Sequence, residues 1–220
     1  MALIAKATQG EGGEFIQVPL GMHVARCYKI IDLGTQPKPV QGVIKLQPTI
    51  EIFFEVHSED ADGNPTVTSK GEPMSISGEY HKTLNEASKL TKHLESWRGK
   101  KFTEPERKGF DIEKILGSWA MINVTANVSK TNGKTYHNVT EIMPLPKVAK
   151  DAGLPEPFNK LQTFSFDDEE LKMDVFNSLN SYKQNKIKES PEGRKRLGSS
   201  GNDSVPQQAQ DDGFNDDIPF

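Results

Sequence analysis

To grip a single nucleic-acid strand, a protein interleaves cations that meet phosphates with flat rings that meet bases. The 220-residue chain carries candidates for both on segments rich in β-branched and aromatic residues. In "HVARCYKIIDLG", Arg26 and Tyr28 fall opposite Ala25 and Cys27; in "TIEIFFEVH", Phe53 points away from Ile50, Ile52, Phe54 and Val56. Trp119 and Met121 project opposite Ala120 and Ile122, and Lys134 shares a side with Tyr136. The densest basic cluster, "WRGKK", supplies Arg98, Lys100 and Lys101, with Lys89, Lys92, Arg107 and Lys108 around it. Rings that face away from a core can stack on bases, at about 1–3 kcal/mol each, while a cationic loop can track a backbone without reading sequence. Each ring has a competing reading, burial beneath a helix or another subunit. Trp97, on the apolar stripe of a helix, is assigned to the core.

Other chemistries find no constellation. No G-x-x-x-x-G-K-[ST] loop occurs, and the histidines at 23, 57, 81, 93 and 137 lack metal-ligand pairing. "DADGN" has its glycine, Gly63, at the fourth position rather than the sixth and Gly71 where a calcium loop needs Glu, so it reads as a turn. The single cysteine, Cys27, excludes a disulfide framework and reads as a small buried hydrophobe. Asp167, Asp168, Glu169 and Glu170 suit a helix start. The expectation is a binder rather than an enzyme, with no cofactor or metal. One cysteine, no export signal and no 18-residue apolar run place it in a reducing cytoplasm.

The elements that must position these residues are mainly strands. Two lie in the segments containing Arg26 and Phe53, and "EPMSISGEY" gives a third. "WAMINVTANV" and "KTYHNVTEIMPL" form a hairpin across Asn132-Gly133. Between the third and fourth strands, Leu84, Ala87, Leu90, Leu94 and Trp97 track one helical face after a capping box, Thr83 with Glu86. Asp111 and Gly117 bracket further helical turns. Three strands, a helix and two strands is the element order of the five-stranded Greek-key OB-fold barrel. The expected organisation is an N-terminal arm at 1–14 and a mainly β, OB-fold-like domain at 15–188. That domain holds a helical insert at 83–116 and a helix at 168–187 carrying Leu171, Val175, Leu179 and Tyr182. A disordered polar linker and tail follow from 189 to 220.

Charge is unevenly placed. Five of the 31 acidic residues lie in the last twenty positions, which leaves 26 against 27 basic residues in the first 200. The closing "DDGFNDDIPF" sets Asp211, Asp212, Asp216 and Asp217 around a few apolar side chains. Its final "DDIPF" closely resembles the C-terminal tip of bacterial single-stranded DNA-binding proteins. The body, through "LESWRGKKF" and "GFDIEKILG", is similar to the divergent single-stranded DNA-binding proteins of tailed phages. The resemblance implies that Pro219 and Phe220 enter an apolar pocket on a partner and that the Phe220 carboxylate meets an Arg or Lys. Asp216 and Asp217 would sit on a basic rim, with Ile218, Asp211 and Asp212 completing the docking segment. It implies single-stranded DNA as ligand and helicases, nucleases, and primase or polymerase accessory factors as partners, in phage replication, recombination and repair. Two alternatives stand beside it. One is a decoy that occupies host proteins through the tip without binding DNA; the other is a strand-annealing recombination protein.

Overall fold

The computed structural model describes residues 17–59, 63–129, 133–151 and 153–198. The expected arm at 1–14, the turn residue Asn132 and the tail from 199 onward, with every docking residue from Asp211 to Phe220, lie outside the described residues. No helix among the described residues is long and apolar enough to cross a membrane.

The protein is mainly β. Strands β1 (Gly21–Val40), β2 (Val43–Val56), β3 (Met74–His81), β4 (Trp119–Val128) and β5 (Thr135–Pro144) form an antiparallel sheet in the order β3-β2-β1-β4-β5, and a short β6 (Gln162–Phe164) joins β1 in parallel. The ladder is open between β3 and β5, yet their Cα atoms approach within 8 Å. Helix α1 (Lys89–Arg98) spans that opening. Its His93 Nε2–H donates to the Thr140 carbonyl of β5 at 3.0 Å, which leaves Nδ1 to accept from the Tyr80 hydroxyl of β3 at 3.1 Å. Lys89 Nζ donates to the Val139 carbonyl at 3.1 Å.

Alternation explains the first core. Ala25, Cys27, Ile50, Ile52, Phe54, Val56, Ala120, Ile122 and Val124 point to one side of the sheet and meet Leu90, Leu94 and Trp97 of α1. Cys27 is fully buried there, as its place in the strand implied, and burial pushes its thiol pKa up. The helix starts later than Thr83 and Glu86 suggested. Ser88 is the N-cap, accepting from Thr91 N–H at 3.1 Å, because the Leu84 carbonyl is taken by Arg107 Nη1 at 3.0 Å. The capping box falls instead on Thr103 and Glu106, at the start of α2 (Glu104–Lys108). Asp111 does cap a 3₁₀ turn, Ile112–Ile115.

The C-terminal segment departs from expectation. The single helix at 168–187 is two, α4 (Met173–Ser178) and α5 (Ser181–Lys188), and a third, α6 (Pro191–Leu197), occupies residues expected to be linker; α3 (Lys147–Asp151) lies before β6. Arg196 takes the carbonyls of Phe166, Asp168 and Glu169, so the acidic stretch cannot spend them on helical bonds. Leu179 is extended and Asn180 caps α5, accepting from Lys183 N–H at 2.9 Å. Tyr182 consequently leaves the apolar stripe and is 70% exposed. Ser190 caps α6 with Pro191 in its first turn. These helices cover the other side of β1 and β2 in a second core, where Val175, Phe176, Leu179 and Ile187 meet Tyr28, Ile31, Leu33, Phe53 and Phe164.

Two predictions follow from this packing. A Cβ on Gly193 would lie 1.9 Å from the Ile187 carbonyl, so Gly193→Ala forces α6 off α5; a loss of about 1–3 kcal/mol in urea unfolding is expected. His93 is held neutral, with burial and then Lys89 lowering its pKa from 6.5 to about 4. Above pH 6.5 both folded and unfolded states are neutral at this site; between 6.5 and 4 only the unfolded chain takes up the proton. Stability should therefore fall as pH drops through that window. His93→Gln should flatten this dependence in urea midpoints measured at pH 7.5 and 5.

Candidate nucleic-acid interface

The candidate residues divide by what surrounds them. Tyr28 and Phe53, expected to be open to bases, are 7% and 8% exposed. Their rings meet edge to face at 6.2 Å, and the Tyr28 hydroxyl reaches Ser75 Oγ at 3.4 Å. Lys183 of α5 lies 4.2 Å from the Phe53 ring centroid, and Lys29 lies 4.9 Å away. Burial, then the nearby Lys183, pushes the Lys29 ammonium pKa down. The expectation that Tyr28 and Phe53 face open surface is corrected: α4 and α5 cover both rings in the second core.

Arg26 is also buried, at 7% exposure, and it belongs to a lock rather than a surface. Its Nη1 donates to Glu55 Oε1 at 2.8 Å and to the Asn159 carbonyl at 3.1 Å. Glu55, with no exposed surface, further accepts from Phe158 N–H at 3.3 Å, Asn159 N–H at 2.7 Å and Asn159 Nδ2 at 2.8 Å, and His57 Nε2 lies 3.2 Å away. Burial acts to raise the Glu55 pKa, but the hydrogen bonds from Arg26 and Asn159 outweigh it and hold the carboxyl below its usual range. The same alternation of Glu51, Phe53 and Glu55 places Glu51 beside Lys183 at 2.7 Å. On β3, Glu79 pairs with Lys38 at 2.6 Å and with Lys186 of α5. The outer face of β2 and β3 is thus an acidic surface tied down by lysines, which sequence reasoning missed. The signal was present in the period-two acids of "EIFFEV" and the lysines of "SYKQNKIK".

Arg98 is likewise committed. Its guanidinium lies 4.3 Å from the Phe102 ring centroid and 5.0 Å from that of Phe110, and it pairs with Glu106. This fixes the insert instead of leaving a mobile cation. Lys100 and Lys101, two and three residues on, are exposed. Trp97, one residue before Arg98, donates Nε1–H to the Trp119 carbonyl at 2.9 Å, which anchors the basic loop beside β4. The Trp119 ring is partly exposed and packs on His57, centroids 5.1 Å apart. Register puts Arg26 opposite Trp119, Val24 opposite Met121 and Met121 opposite Met143, all on one outer face. Beside them a groove of about 520 Å³ runs between Met22, Val24, His57, Val67, Met121 and Pro155. On the β4–β5 hairpin, Lys134 and Tyr136 are exposed. The structure therefore brings Trp119 and the Lys100–Lys101 loop into one neighbourhood and removes Arg26, Tyr28, Phe53 and Arg98 from open surface.

Among the described residues, no group of three or more His, Cys, Asp or Glu is placed to hold a metal ion. No family model matches the chain, and no curated protein matches it.

The lock makes a discriminating prediction for Arg26. Removing one partner of a buried ion pair costs about 3–5 kcal/mol, so Arg26→Ala should lower stability by that order in urea unfolding. A variant of unchanged stability would show that the pair is not a structural lock.

Proposed function

We propose that the chain binds single-stranded DNA through an OB-type barrel and recruits genome-maintenance proteins through its acidic C-terminal segment. One observation carries the fold half of this reading: the strand order β3-β2-β1-β4-β5, with α1 inserted between β3 and β4 and set across the gap from β3 to β5. That order supports a reading as the Greek key of the five-stranded oligonucleotide-binding barrel. In such barrels the β2–β3 face and the β1–β2 and β4–β5 loops hold the oligonucleotide. Here part of that face carries α5, so binding falls to the rim: Trp119, the Lys100–Lys101 loop and the Lys134–Tyr136 hairpin. The recruitment half rests on "DDIPF", whose ring and paired acids suit a weak, exchangeable docking peptide. The burial of Arg26, Tyr28 and Phe53 favours a second reading, in which the tail alone acts and the body holds no DNA.

Titration of fluorescent oligothymidine against duplex of equal length separates the two. Preference for the single strand is expected, with a shallow salt dependence. Roughly three phosphate contacts, from Lys100, Lys101 and Lys134, give a log–log slope of about −2. Lys100→Glu with Lys101→Glu should weaken binding and flatten that slope without changing the unfolding midpoint. Absence of binding selects the decoy reading, and annealing of added complementary strands selects a recombination role.

A further inference from the structure

The β1–β2 hairpin continues beyond the sheet. β3 pairs with β2 only over Thr49–Val56, so Pro37 to Gln47 form a two-stranded ribbon around the turn at Gln41 and Gly42, whose φ values are 52° and 81°. Cross-strand partners share a face. Pro37 with Leu46 and Pro39 with Ile44 make one side apolar, and Lys38 with Lys45 makes the other cationic. Val43, Ile44 and Leu46 are 60%, 64% and 68% exposed. A lone two-stranded ribbon is marginal in water, and an apolar strand edge invites pairing.

Hydrogen-bond phase identifies the open edge. Thr35 opposes Pro48; the Thr35 N–H points outward to Glu192 Oε2 at 2.8 Å, and the Pro48 carbonyl points outward to accept from Lys82 N–H at 2.7 Å. Stepping by two carries the outward orientation to Pro37 and Pro39 on β1 and to Leu46 and Ile44 on β2. The β1 edge is closed, since its one donor is bonded to Glu192 and the next two outward positions are prolines. On β2, the outward N–H and C=O groups of Ile44 and Leu46 have no hydrogen-bond partner among the described residues.

We propose that this edge of β2, Gly42 to Leu46, pairs antiparallel with the same edge of a second copy of the chain, joining two ribbons into one four-stranded sheet. Pairing about Ile44 sets Ile44 against its own copy and Val43 against Lys45 of the second copy. No lysine then faces a lysine directly, as it would in the register centred on Lys45. Each copy has one open and one closed edge, so the contact closes as a two-fold dimer and cannot grow into a fibre. A pairing of about five residues from each copy falls well short of the ~1,200 Å² of a standard stable interface. The dimer is accordingly weak and reversible, and it does not depend on DNA.

Sedimentation of the full chain from about 1 to about 200 μM tests this by mass action. The expected mass rises toward twice 24.5 kDa and stops there. Ile44→Pro removes only an outward N–H, as Pro37 and Pro39 already do across the ribbon, so circular dichroism should be unchanged and association at least tenfold weaker. Leu46→Lys, which keeps every backbone donor, should have the same effect and carries the test if the proline variant misfolds. A chain that stays monomeric throughout, one that assembles beyond a dimer, or a dimer that both variants leave intact overturns the proposal.

Discussion

Everything in the structure is arranged around the second edge of β1. One edge of this 20-residue strand is matched by β2 along almost its whole length. The other edge must also place its backbone donors and acceptors, because buried groups left unpaired are costly. It does so by taking four partners in turn. From Gly21 to Arg26 it pairs with β4. At Cys27 it exchanges bonds with Ser118 and Gly117, at 3.0 and 2.7 Å. From Lys29 to Ile31 it pairs with β6. At Gly34 and Thr35 it turns to side chains, Asp32 Oδ1 at 2.9 Å and Glu192 of α6. Beyond Thr35 the prolines need no donor site. The position of the insert, the C-terminal helices and the free ribbon all follow from that succession.

The same strand divides the molecule into two cores with different bonding. On the α1 side the contacts are apolar, with Leu90, Leu94 and Trp97 against alternate strand residues. On the other side a smaller apolar patch is ringed by ion pairs, Lys183 with Glu51, Lys186 with Glu79 and Lys82 with Asp32. Short helices cannot bury enough surface to hold themselves, and α5 contributes a single buried residue, Ile187. Charged contacts also tie α5 to the sheet, and their partial burial limits screening by salt.

The strands were legible because alternation is a local signal: Ile50, Ile52, Phe54 and Val56 announce a face wherever they are placed. Cys27 was assigned to the core for the same reason and Trp97 from the helical stripe it shares with Leu90 and Leu94, and both are buried. What was not legible required a partner distant in sequence. Phe53 reads as outward from its own strand, and outward it is; that α5 lies over it depends on residues about 130 positions later. The 168–187 helix failed because Arg196 competes for its carbonyls from beyond its end. The ribbon was missed because its prolines and lysines lack strand propensity, although outward-facing prolines are compatible with a ladder.

The ion pairs also limit where a polyanion could be held. A cation already bonded to a buried or partly buried carboxylate must break that bond to meet a phosphate. Arg26, Lys38, Lys82, Arg98, Arg107, Lys183 and Lys186 are all so engaged. Exposed lysines outside those pairs remain, Lys100 and Lys101 of the insert and Lys45 and Lys92 among them. Of the candidate rings, Trp119 and Tyr136 are at least partly open and lie on β4 and β5. The charges that hold the body together are therefore a different set from the loop lysines proposed to meet DNA.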